Sequence, residues 1–153
     1  MITREQTTTQ LQPAILRTAF TVAALGRVGW GAAAMASPSA NFRVAGVAGL
    51  ATPEVTYLTR VFGARALAIG LGYLRGDADS RSQWQRLGLL IDTLDTISGL
   101  TALRRIEDAP RRRAAALLVA ITGGYAALGA IGLAWSQLNV QPPTGLSAKR
   151  SKR

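Results

Sequence analysis

The residues best placed to do chemistry in this chain are two carboxylates inside an apolar run. Residues 87–103 read LGLLIDTLDTISGLTAL, with Asp92 and Asp95 three residues apart near the centre. An ionised carboxylate left alone in hydrocarbon or in a dry core costs several kcal/mol, so each needs a partner or water. Two earlier apolar runs supply guanidinium groups, Arg27 in the first and Arg60 and Arg65 in the second. Two carboxylates at this spacing could in principle act as acid and base or bind a divalent cation. As metal ligands they are too few without further oxygens, and arginines nearby compete for them. Two readings remain. In one, Arg27, Arg65, Asp92 and Asp95 form a neutral, buried cluster that locks helix register. In the other, the same groups relay protons or ions. The relay lacks a second signature: there is no histidine, no interrupted helix and no inverted repeat. The lock is therefore the expected role.

Composition removes other chemistries. The chain has no Cys and no His, which excludes disulfides, Cys or His metal sites, thiol nucleophiles and Ser-His-Asp triads. Neither GxxxxGK[ST] nor GxGxxG occurs, so Gly63, Gly70 and Gly72 form no phosphate loop. No catalytic residue, metal or cofactor is expected, and the chain is not read as an enzyme. The net charge of +10 invites a nucleic-acid reading. The arginines, however, sit mostly in short turns and tails flanking apolar runs, where membrane proteins carry them. No basic helix face interleaved with aromatics is present, and no nucleic-acid partner is expected.

The elements that must hold the cluster follow from the apolar runs. Only 17% of residues are charged, against about 25% in an ordinary soluble domain. Four runs, at 11–36, 55–74, 87–103 and 114–135, predict an all-α integral membrane bundle of four transmembrane helices, up-and-down, within residues 11–136. Residues 1–10 read as a polar leader and 137–153 as a basic, disordered tail. A signal peptide competes for the first run, since Ala34-Met35-Ala36 has the form of a cleavage site, but Arg27 inside the apolar stretch opposes it. Residues 37–54 read as a loop or a short interfacial segment, 75–86 as a polar hairpin loop, and 104–113 as a tight basic turn broken by Pro110. Ala64, Ala68 and Gly72 make a small-xxx-small stripe, and Gly99 shares a stripe with the two aspartates. These four are the predicted helix-packing residues. Counting from shared helix ends puts Arg65 and Asp95 at nearly one level, with Arg27 and Asp92 close by, whereas Arg60 lies nearer a helix end and can snorkel.

The stretch RVFGARALAIGLGYL, followed after a short polar loop by an apolar helix with paired Asp, resembles an uncharacterised actinobacterial family of small four-helix integral membrane proteins. The similar part runs from about Arg60 to Arg105. The resemblance implies four spans with Arg and Asp between helices two and three, and no activity. Here Ala66 stands where an acidic residue would follow the arginine, so a partner for Arg65 has to come from the third helix.

These readings lead to a non-catalytic accessory or assembly protein, multi-pass in the cell membrane. Its partners are the lipid bilayer and a membrane protein or a second copy of itself. The alternative is a small proton- or ion-coupled transporter or channel built on the same cluster. The rival architecture is a soluble Ala-rich helical domain. Basic residues outside the runs number eight on one side and six on the other. The rule weights charges close to the membrane and the denser cluster lies in the last turn; both termini are read as cytoplasmic.

Overall fold

The computed structural model describes residues 13–138. They form five α-helices: α1 (Ala14–Ala36), α2 (Pro38–Val44), α3 (Pro53–Arg75), α4 (Ala78–Leu103) and α5 (Ala109–Leu138), with a 3₁₀ turn at Ala48–Leu50. Among the described residues there is no strand. The predicted leader lies outside these residues, as does the tail from residue 139 onward.

Local chemistry sets the helix ends and explains three departures from the sequence expectation. The segment predicted as a polar hairpin loop is helical from Ala78. Asp77 accepts a hydrogen bond from the Ser80 backbone N–H at 2.9 Å and so caps α4. Hydrogen bonds from the Ser80 side chain and N–H hold the exposed Asp77 carboxyl below the usual range. The charge on this cap is therefore present at neutral pH and is lost as pH falls through that lowered pKa. Pro110 does not break a turn. Asp108 accepts from the Arg111 N–H at 3.0 Å, and Pro110 then occupies the first turn of α5, where a missing N–H costs nothing. At its other end α5 continues through Gln137 and Leu138, past the predicted start of the tail. Finally, the connector after α1 is not a plain loop but contains α2. That helix ends with Gly46 at a φ of 74° and with the Val47 N–H bonded to the Phe42 carbonyl, a Schellman closure that needs the glycine.

The four long helices pack antiparallel, as pairwise contacts show. Along α1 and α3, Phe20 meets Tyr73, Gly70 meets Ala24 and Gly63 meets Gly31. These two helices touch almost backbone to backbone. A Cβ added at Gly31 would lie 2.6 Å from the Gly63 carbonyl oxygen, and one at Gly70 would lie 2.7 Å from that of Ala24. Helices α4 and α5 form a second pair. Leu89 packs on Gly129, Val119 packs on Gly99, and the Thr96 and Thr122 hydroxyls meet at 3.0 Å. Between the two pairs runs a looser seam. On one side of the middle it is bordered by a small apolar cluster of Phe20, Tyr73, Leu74, Trp84 and Leu128.

Two helices, α1 and α5, are long and apolar enough to cross a membrane. The sequence predicts four such spans. The difference lies in α3 and α4, whose apolar stretches are interrupted by Arg60, Arg65, Asp92 and Asp95.

The glycine contacts give a paired test. Gly31→Ala puts a methyl group against backbone that cannot swing away, and should cost about 1–3 kcal/mol. At Gly29, two residues earlier on α1, an added Cβ meets nothing within 4 Å. Gly29→Ala should instead gain up to about 1 kcal/mol of helix propensity. Thermal unfolding followed by circular dichroism should therefore shift down for the first variant and up, or not at all, for the second.

Candidate functional site

All four charged residues of the predicted cluster are brought together at the seam, as two pairs. The Arg27 guanidinium bonds Asp92 Oδ2, joining α1 to α4, and the Arg65 guanidinium bonds Asp95 Oδ2, joining α3 to α4. Both bridges therefore run from the first helix pair to the same helix of the second. Three residues separate the aspartates on α4, so the bridges stack one turn apart, and the charges of Arg65 and Asp95 also reach Asp92.

The bridges differ in burial. In the Arg27–Asp92 pair the side chains are 13% and 4% exposed; in the Arg65–Asp95 pair they are 36% and 27% exposed. Each guanidinium also lies over a ring. Arg27 Cζ is 4.2 Å from the centroid of Tyr125 on α5, and Arg65 Cζ is 4.8 Å from that of Phe62. An aromatic face attracts a cation most when water is excluded, so Tyr125 stabilises the deeper arginine more. Arg27 thus links three helices: its own, the aspartate's and the tyrosine's. Arg60 is exposed at its helix face, with Nε donating to the Met35 carbonyl near the end of α1 at 3.4 Å.

Beside the deeper bridge lies a cavity of about 40 Å³ to which all four long helices contribute. Its polar and aromatic lining includes Arg27, Tyr73, Trp84, Gln85, Asp92 and Tyr125. Among the described residues, no group of three or more acidic side chains is placed to hold a metal ion.

The predicted packing residues divide. Gly72 lies under the Trp84 indole and Gly99 under Val119, each leaving no room for a Cβ. Ala64 and Ala68, in contrast, are exposed; the buried small residues of α3 are Gly63, Ala66 and Gly70, of which Gly63 and Gly70 closely approach α1. A strict four-residue spacing advances about 40° further than one turn at each step, so it cannot stay on one helix face. Spacings of three and four, as in 63, 66, 70 and 73, do stay there. The first helix carried the same signal, unused: Phe20, Ala24, Gly31 and Ala34 are its buried residues and follow the helical period. Tyr125 as the support of Arg27 had no sequence signal, since nothing in the order of residues pairs one apolar helix with another.

Comparison of the chain with protein-family models, with curated proteins and with solved structures finds no match in any of the three. The reading of the site therefore rests on its geometry.

The unequal burial orders the variants. Removing one member of the deeper pair strands a charge that the helices almost fully enclose, at a cost of about 3–5 kcal/mol. Asp92→Ala and Arg27→Ala should therefore destabilise the protein more than Asp95→Ala and Arg65→Ala, whose stranded partners reach the surface. In each pair the double variant should recover part of the loss. Folded yield and thermal midpoint of the six proteins, measured side by side, check both the order and the recovery.

Proposed function

We propose that this protein is an integral membrane bundle of four spans, α1, α3, α4 and α5, that works as a non-catalytic accessory or assembly subunit. The carrying observation is the inverted distribution of polarity at mid-depth. Asp92 is 3% exposed while Val22, Leu25, Leu90, Leu94, Ile97, Leu117, Leu118 and Ile121 face outward. In water that arrangement buries the wrong groups. In lipid it buries the charges as pairs and turns the hydrocarbon side chains to hydrocarbon. Very little of the apolar stretch of α5 is covered by the rest of the chain, which suits a helix solvated by lipid.

The outward-facing hydroxyls support the same reading. Thr21, Thr59, Thr93 and Thr101 are exposed or nearly so, and each donates to the carbonyl four residues earlier in its own helix, at 2.7–2.9 Å. A hydroxyl satisfied within its own helix needs no water. The arginines and aspartates of α3 and α4 lower the hydropathy of those helices, but as neutral pairs they can enter a bilayer together, because each offsets the desolvation of another. Wide glycine and alanine surfaces then suit a protein that packs against other membrane helices. This reading agrees with the family resemblance carried by the stretch from Arg60 to Arg105.

Sedimentation with membranes after carbonate extraction is the expected behaviour, and release into the soluble fraction without detergent would defeat the proposal. A second reading, a small proton- or ion-coupled transporter or channel, draws on the cavity beside Asp92. The two readings separate on Arg65 and Asp95. A lock predicts less folded protein in either single alanine variant and partial rescue in the double. A transport role predicts near-normal folding, loss of flux through proteoliposomes in Asp95→Ala, and no rescue.

A further inference from the structure

The cavity at the seam has a direction. From the level of Arg27, Asp92 and Tyr125 its lining continues to Phe20 on α1, Tyr73 on α3, Trp84 and Gln85 on α4, and Leu128 on α5. In this antiparallel bundle each of those steps leads toward one end, the end that carries the α3–α4 turn with Arg75 and Arg81. Toward the opposite end the lining stops at Arg27, Asp92 and Tyr125. The space is thus one-sided, with the deeper ion pair at its inner limit.

Its size and chemistry select what can occupy it. About 40 Å³ is ample for water and far too small for an organic substrate or a metal ion with its hydration shell. Buried water needs two to four polar partners, and the residues of the wall include Arg27, Asp92 and Gln85, which carry a guanidinium, a carboxylate and a primary amide.

We infer that this cavity is a water-filled inlet giving the Arg27–Asp92 pair aqueous contact from the side of the Arg75/Arg81 end of the bundle. The inference rests on the membrane-bundle reading and adds to it a site whose ligand is water, and through water the proton. Asp92 is the carboxylate at the inner end of that lining. Asp95 stands one turn further along the same helix, already bridged to Arg65. The ion pair that locks the helices is then also the floor of the inlet, and water can reach it without the helices separating.

The absence of Cys from the chain makes single-cysteine reporters clean. A Cβ built at Gly88 lies 3.7 Å from Ile69 Cγ2 and 3.8 Å from an Arg27 nitrogen, ordinary contact distances that accept a side chain facing the cavity. Ala23, also in the lining, offers a second reporter on the facing helix. Gly124, on the outer face of α5 with nothing within 4 Å of its Cβ, is the lipid-facing control. The thiolate is the reactive form and forms only where water reaches, so the probe is Ag⁺, small enough to follow water. The purified full-length variants Gly88→Cys, Ala23→Cys and Gly124→Cys are reconstituted in liposomes and exposed to Ag⁺. After denaturation, the thiol still free is counted with a maleimide.

The expected result is blocking at Gly88→Cys and Ala23→Cys about tenfold or more faster than at Gly124→Cys. Slow blocking at all three means a dry cavity and overturns the inlet while leaving the bundle standing. Fast blocking at all three, with Gly124→Cys included, means water on the outer face and overturns the bundle reading together with the inlet. If Gly88→Cys fails to fold, Ala23→Cys alone decides by the same comparison.

Discussion

Two arginine–aspartate bridges hold the halves of this protein to each other, and the rest of the packing is arranged around that fact. Within each half the helices meet through glycine and backbone: Gly31 with Gly63 and Gly70 with Ala24 in one, Gly99 and Gly129 under Val119 and Leu89 in the other. Such contacts are strong because many atoms meet at short range, but they carry no long-range preference for a particular partner. Between the halves the roles reverse. An apolar cluster of Phe20, Tyr73, Leu74, Trp84 and Leu128 occupies one side of the middle, a cavity remains beside it, and Arg27–Asp92 with Arg65–Asp95 supply the specific attraction. Charge decides the seam, and shape decides each half.

That division accounts for the unusual core. Few large side chains are buried among the described residues, and the most buried polar one is Asp92. A soluble domain of this length would bury more aliphatic volume to offset its chain entropy. On the proposed membrane reading the outer apolar surface is already out of water, so the interior needs close packing and satisfied polar groups rather than a large hydrophobic core. The stacked guanidiniums fit this economy. Arg27 meets Asp92 with its hydrogen-bonding edge and Tyr125 with its flat face, so one side chain satisfies three helices at once.

Much of this was legible in the sequence. Charge in an apolar run is conspicuous, and counting from the ends of the apolar runs at Leu74 and Leu87 put Arg65 level with Asp95, with which it pairs. Yet α4 begins nine residues before Leu87, at Ala78, so the helix ends assumed in that count are not the real ones. Helical periods of three and four identified the aspartate stripe and placed Leu90, Leu94 and Ile97 away from it, where they are exposed. What the sequence obscured were features set by tertiary contact. Residues 78–86 look like a loop because they are polar, yet they are helical, with Trp84 seated on Gly72. The Ala64 and Ala68 spacing suggested a packing face, but the helical pitch carries that row off the interface. The linkage of Arg27 to Tyr125 joins helices far apart in the chain, for which a single sequence holds no signal.

The placement of the charges also bears on the order in which the molecule can be completed. Helices α1 and α3 leave the ribosome first, already able to dock through their glycines, and their shared half carries both arginines and neither aspartate. Its counter-charge resides wholly on α4, which is made later. The early hairpin is therefore a half with an electrostatic debt of two, shaped but not neutral, until α4 arrives. The act of neutralisation is then the same act that joins the two halves.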